Sequence, residues 1–242
     1  MGIQILAFST LAFALLQPTQ QIFNIILKSD SVDLVYPPQA HSERGLAVCE
    51  PNAVCNILYR RFWFRMRIER MCRCPQRLEC SMDWSFKRDN HTMTLNNRSQ
   101  LKFCQDVAEL PQCSTKSQAL TVTTQTVTTL SKLNDVPPTV TQQTIAVAAC
   151  NCQPNYYWKK HNQFDNDYGN GTVHTNTVYR CMKLRKCNVK EFCGNMRTDY
   201  YFTYYQCSCP MGHMCLQKDN KHYNVSELLY SGPAYKAVCT PN

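Results

Sequence analysis

Sixteen cysteines set the terms on which this chain of 242 residues can fold, because they recur in a fixed pattern. Cys207-Ser208-Cys209-Pro210, followed by Cys215, repeats after 135 residues what Cys72-Arg73-Cys74-Pro75 and Cys80 lay down. A C-x5-C pair precedes each copy (Cys49 and Cys55; Cys187 and Cys193), and a sixth cysteine, Cys104 or Cys239, follows the fifth after 23 intervening residues. Internal comparison alone therefore reveals two six-cysteine units. Between them a reduced copy carries Cys113, Cys150, Cys152 and Cys181 and lacks the C-x5-C pair and the fifth cysteine.

An even count with repeated spacings is the mark of a disulfide scaffold in an oxidising compartment. Zinc sites pair cysteines as C-x2-4-C; the close pairs here are C-x-C and C-x5-C, so the pattern points to bridges and to no metal or other cofactor. Six cysteines allow 15 pairings per unit, all left open. The C-x-C spacing has a physical reading: residues i and i+2 of a strand point the same way, so each can bridge to a different neighbour. The proline that follows removes a donor and ends the strand.

Upstream of the first C-x-C, alternation predicts one long strand. Phe62, Phe64, Met66, Ile68, Cys72 and Cys74 share one face, and Trp63, Arg65, Arg67 and Glu69 share the other. The run Asp199 to Gln206 plays the same part later, with Tyr201, Tyr205, Cys207 and Cys209 on one side and its tyrosines lining a core. In the middle copy, the Thr- and Val-rich run from Leu120 to Leu130 and the run from Thr139 to Ala149 predict a hairpin turning at Asn134-Asp135. An O-glycosylated stalk is the alternative for that Thr-rich composition.

These signals divide the chain as follows: a signal peptide over 1–20, a flexible segment over 21–45, a first Cys-rich β module over 46–104, a divergent middle module over 105–181 and a third Cys-rich module over 182–242. The apolar run from Ile5 to Leu16 is too short to span a bilayer and suits an h-region; joined to Ile22–Leu27 it would make a signal anchor instead. The expected fold class is all-β and disulfide-rich, with three tandem finger-like antiparallel modules. The apolar residues are not distributed as for one large core, so each module is expected to rest on its bridges.

Four sequons, at Asn90, Asn97, Asn170 and Asn224, agree with export as a glycoprotein. No nucleophile elbow, phosphate loop, H-E-x-x-H or calcium loop is present, and no C-x-x-C redox pair; the six histidines are scattered. The chain reads as a secreted binding protein without catalytic residues. The formal charge of +9 favours acidic partners. Trp63, Arg65 and Arg67 on one strand face, and Trp158, Lys159 and Lys160 after the middle C-x-C, are the candidate binding residues, since aromatics beside cations make interface hot spots. Export argues against nucleic acid, and after signal cleavage nothing is left to insert in a membrane; the protein is expected to be a monomer.

The framework of Cys49-Glu50-Pro51-Asn52-Ala53-Val54-Cys55, Cys72-Arg73-Cys74, Leu101 to Val107, Tyr179 to Cys187 and Cys207-Ser208-Cys209-Pro210 resembles two families. One is the giant-lens (Argos) type of secreted epidermal-growth-factor (EGF) antagonist; the other is the centipede-venom scoloptoxin family eleven. The likeness runs from Cys49 to Cys239. The compact spacing after the first C-x-C, with Cys80-Ser81-Met82-Asp83-Trp84, looks more like the venom group. That resemblance implies a secreted toxin acting on a prey surface protein, a neurotoxin inhibiting voltage-gated potassium channels or an anticoagulant, as suggested for some members. The giant-lens type implies three disulfide-bonded β domains that clamp an EGF-like growth factor and block receptor signalling. Only the cysteines transfer position by position.

Overall fold

The computed structural model describes residues 32–61, 63–87, 89–96, 98–129 and 138–241. The apolar leader, Phe62, Asn97 and the Asn134-Asp135 turn lie outside these. The protein is all-β, with several sheets. The first contains β1 (Val32–Val35), β2 (Val54–Tyr59), β3 (Met66–Arg70), β4 (Thr92–Asn96) and β5 (Ser99–Phe103), in the order β1-β3-β2-β5-β4. The second contains β6 (Leu120–Thr129), β7 (Thr139–Ala148), β8 (Tyr156–Gly169) and β9 (Thr172–Lys183), in the order β7-β6-β9-β8. After the two-residue β10 (Arg185–Lys186), the third uses β11 (Phe192–Arg197), β12 (Thr203–Tyr205), β14 (His213–Glu227) and β15 (Tyr230–Pro241), in the order β12-β11-β15-β14; β10 pairs in parallel with β13 (Cys207–Ser208).

Apart from β1, each of the three large sheets is two antiparallel hairpins joined through the first strand of one and the last strand of the other. The bridges follow the same plan. Cys49–Cys72, Cys55–Cys80 and Cys74–Cys104 join first to third, second to fifth and fourth to sixth cysteine. Cys187–Cys207, Cys193–Cys215 and Cys209–Cys239 do so again. Cys113–Cys150 and Cys152–Cys181 complete the set, and no cysteine is free.

Each C-x-C segment is held flat by a parallel bridge from its middle residue to the residue before the first cysteine: Arg73 to Val48, Asn151 to Gln112, Ser208 to Lys186. The first cysteine's N–H donates to that middle carbonyl at 2.8, 2.9 and 2.9 Å (Cys49, Cys113, Cys187). The two flanking sulfurs thus go to separate partners.

The same register shows what replaces the missing bridge of the middle copy. The carbonyl of the second cysteine accepts the N–H of the residue before the C-x-C, from Met71 to Cys55 and from Gln206 to Cys193; in the middle copy Ala149 donates to Ala119. Cys215 stands opposite Cys239 across its hairpin, and Trp158 stands opposite Cys181. Ala119 and Trp158 therefore occupy the second and fifth cysteine positions. They pack in one cluster with Cys113, Cys150, Cys152 and Cys181, so an indole and a methyl stand in for a disulfide.

Contrary to the expected composition of separate small cores, one apolar cluster draws on all three sheets. Ile57, Tyr59 and Phe103 of the first, Leu120, Val122 and Tyr179 of the second, and Phe202 and Leu228 from the segments flanking strands of the third belong to it. Apolar residues too few for three cores suffice for one at the junction. There the Arg197 guanidinium, 4% exposed, lies 3.9 Å from the Tyr230 ring, 4.4 Å from Tyr200 and about 5 Å from Tyr59 and Phe202. Its outer edge forms a bidentate pair with Asp199, at 2.8 and 2.6 Å. Tyr200 in turn donates to Glu69 of the first sheet at 3.2 Å.

Other expectations need correction. The segment over 21–45, expected to be flexible, contains a strand: β1 adds in parallel to β3, and Asp33 pairs with Arg61 at 3.1 Å and Arg67 at 3.5 Å. The single strand predicted upstream of Cys72 is a hairpin instead, since β2 pairs with β3 and Tyr59 stands opposite Arg67. Alternation fails where the chain reverses, and Trp63 sits at the tip with a φ of 61°. Likewise Tyr201, at a φ of 52°, is an exposed turn residue, and the strand before Cys207 is only β12. The Thr-rich runs do pair as the hairpin β6–β7, and β9 flanks β6 on its other side, which makes the run a sheet strand.

Candidate functional site

Where the three sheets meet, a cleft of about 1180 Å³ opens. Its walls include Thr92 to Asn96, Tyr156 to Lys160 and Thr203 to Gln206, each as an unbroken run. Alternate residues of a strand point to opposite faces, so a wall made of consecutive residues is a strand seen edge-on. β4, β8 and β12 are indeed the outermost strands of their sheets on that side. Their outward backbone groups have no ladder partner within the sheets, and such edges are the sites where an extended segment adds.

Side chains give the cleft aromatic walls and a mixed floor. Phe86, Tyr156, Tyr157, Trp158, Tyr204 and Tyr205 line it with Lys87, Lys159 and Lys160. Tyr204 donates to the Leu228 carbonyl at 2.8 Å, and burial pushes its phenol far above the usual range. Glu227 brings a half-buried carboxylate; burial raises its pKa, against an opposing bond from Asn195 at 2.6 Å. Asp89 is held low chiefly by the Thr92 hydroxyl at 2.6 Å, with burial opposing and the His91 N–H, Ser85 and Lys102 adding to the effect. Lys102, fully buried, donates to Ser85 and Thr92 at 2.8 and 2.7 Å. These bonds fix the β4 wall from behind.

The structure divides the predicted binding residues. Trp158, Lys159 and Lys160 line the cleft, with Trp158 half inside the core. Trp63 and Arg65 lie at the β2–β3 tip, beside a separate hollow of about 340 Å³ with Val32, Asp33, Arg61 and Phe64. Arg67 joins neither; it pairs with Asp33 and Glu69 and covers Tyr200. Of the sequon residues, Asn90, Asn170 and Asn224 are exposed, with Asn170 at the β8–β9 turn; Asn97 lies outside the described residues. The β4 edge and Glu227 carry no local sequence signal, because only the meeting of three sheets brings them together.

Edge strands around an aromatic cleft, on a scaffold of eight bridges, define a class: a secreted, non-enzymatic, disulfide-stapled β protein. Among solved structures the chain is similar to the crystal structure of unliganded Argos, at 25% identity with a TM-score of 0.50, over 87% of this chain and 99% of that one. No family model matches the sequence, and the search of curated proteins returns no significant match. This likeness corrects the venom reading. It extends to the namesake of the EGF-antagonist family and gives no support to a toxin, a neurotoxin or a potassium-channel ligand. Compact spacing after Cys74 was a poor guide, because loop length varies at little thermodynamic cost.

Proposed function

We propose that this protein sequesters an EGF-like growth factor, holding it in the three-sheet cleft and so denying it to its receptor. The observation that carries the reading is the convergence of β4, β8 and β12, edge-on, around one aromatic-lined space. At about 1180 Å³ the space exceeds the roughly 300–1,000 Å³ of small-molecule sites. It suits a loop or strand of a folded partner that adds to an edge. Likeness to Argos supports the choice of partner.

On this reading the three sheets are three finger-like modules, bounded near 46–104, 105–181 and 182–242, acting together as one monomeric clasp. Lys159 and Lys160 contact the ligand, whereas Trp158 chiefly supports the β8 edge. The exposed Asn90, Asn170 and Asn224 carry glycans. The test is capture: the oxidised full chain, immobilised, is offered a panel of EGF-like domains in competition with receptor ectodomains. Saturable capture, weakened at least about tenfold by Lys159→Glu with Lys160→Glu, is expected. Failure to retain any EGF-like domain, or retention without loss of receptor binding, would overturn the proposal.

A further inference from the structure

The β2–β3 hairpin tip points away from the account above, since none of Trp63, Phe64 and Arg65 lines the cleft. Trp63 is 98% exposed and Phe64 73% exposed, two large apolar side chains side by side at a protruding turn. Trp63 is also held at a φ of 61°, a region that bulky residues rarely adopt and that is kept mostly where function needs it. Arg60, Arg61, Arg65 and Arg67 lie on the same hairpin. Arg61 lies 5.6 Å from the Phe64 ring, but it and Arg67 are already paired with Asp33. Arg60 and Arg65 are the exposed ones, Arg60 resting against Trp84 and Phe86 at 5.2 Å.

We propose that this tip is an interfacial membrane anchor that seats Trp63 and Phe64 in the headgroup layer of a phospholipid bilayer, with Arg60 and Arg65 on lipid phosphates. Indole favours that layer, where its ring leaves water while its N–H stays hydrogen-bonded. Guanidinium matches phosphate, and cations near an anionic surface add attraction. A sulfated polysaccharide would satisfy the arginines and leave both rings in water. Such docking needs no spanning segment; no helix among the described residues is long and apolar enough to cross a membrane. It would hold the protein at a cell surface with the cleft still open.

The test uses the oxidised full chain, sedimented with phosphatidylcholine vesicles and with vesicles containing added phosphatidylserine. Wild type is expected to sediment with both and more strongly with the second, its tryptophan emission moving to the blue. Trp63→Ala with Phe64→Ala should weaken sedimentation at least about tenfold, and Arg60→Gln with Arg65→Gln should reduce the phosphatidylserine preference. Unchanged near-ultraviolet circular dichroism would show that the variants remain folded. A wild type that stays in the supernatant, or a double-alanine variant that sediments equally, overturns the proposal. So does retention on heparin alone, unaffected by loss of the two rings.

Discussion

Ala119 and Trp158 stand where the outer units have their second-to-fifth bridge, so installing both cysteines should form a ninth disulfide. The two native counterparts close sequence separations of 25 and 22 residues with Cα atoms 6.0 and 5.9 Å apart, within the span a disulfide needs. Positions 119 and 158 are 39 residues apart, which corresponds to about 3.9 kcal/mol of lost unfolded-state entropy for an unconstrained loop. The existing Cys113–Cys150 bridge shortens the circuit to roughly 15 residues, which lowers the contribution to about 3 kcal/mol. Loss of the part-buried indole works against it by about 2–3 kcal/mol. Trp158→Ala should therefore fall about 2–3 kcal/mol below wild type, and Ala119→Cys with Trp158→Cys should recover about 3 kcal/mol of that. Denaturant unfolding with the disulfides intact measures the series, and intact mass with thiol titration reports the bond. Two thiols that titrate as free, or a double variant no more stable than Trp158→Ala, would refute the equivalence of the three units.

Other outcomes follow from the junction and its carboxylates. Arg197→Met keeps the stem and loses the charge from a desolvated cage of four rings, at an expected cost of about 2 kcal/mol; Arg197→Lys should restore little, since an ammonium cannot reproduce the bidentate pair with Asp199. Both are read from urea unfolding curves. Burial raises the Glu227 pKa in the folded state, so the protonated form is the one that favours folding. That contribution is present below the unfolded value of about 4.3 and is lost as pH rises through the higher folded value. Glu227→Gln should then be more stable than wild type at pH 7 and equal to it near pH 4, by the same curves. A Cβ at Gly194 would stand 2.2 Å from the Tyr204 carbonyl oxygen, and Gly194→Ala should loosen β12 from β11, seen as faster hydrogen exchange at Thr203 to Tyr205.

How much of this was legible in the sequence depended on how local the signal was. Cysteine spacing revealed the internal repeat and the disulfide-rich class, alternation added the all-β class, and the spacing also contained the Ala119 and Trp158 equivalence, six residues after Cys113 and Cys152 as Cys55 and Cys80 follow theirs. The pairing itself was not legible, because strand neighbours decide it. Alternation described β3 correctly but ran on through Trp63 and Phe64, where no glycine or proline marks the turn. β1 is four residues long and draws its place from Asp33 meeting two arginines, a contact no window of sequence contains. The shared core and the cleft depend on how whole sheets meet, so Tyr204, Glu227 and the β4 edge could be recognised only together.

Capture of a ligand at the three edges would protect particular amides. Hydrogen exchange on the oxidised full chain, with and without a saturating EGF-like domain, should show new protection at 92–96, 156–160 and 203–205 together. Protection confined to the outer hairpin tips, or an exchange pattern unchanged by the ligand, would contradict capture at the three edges.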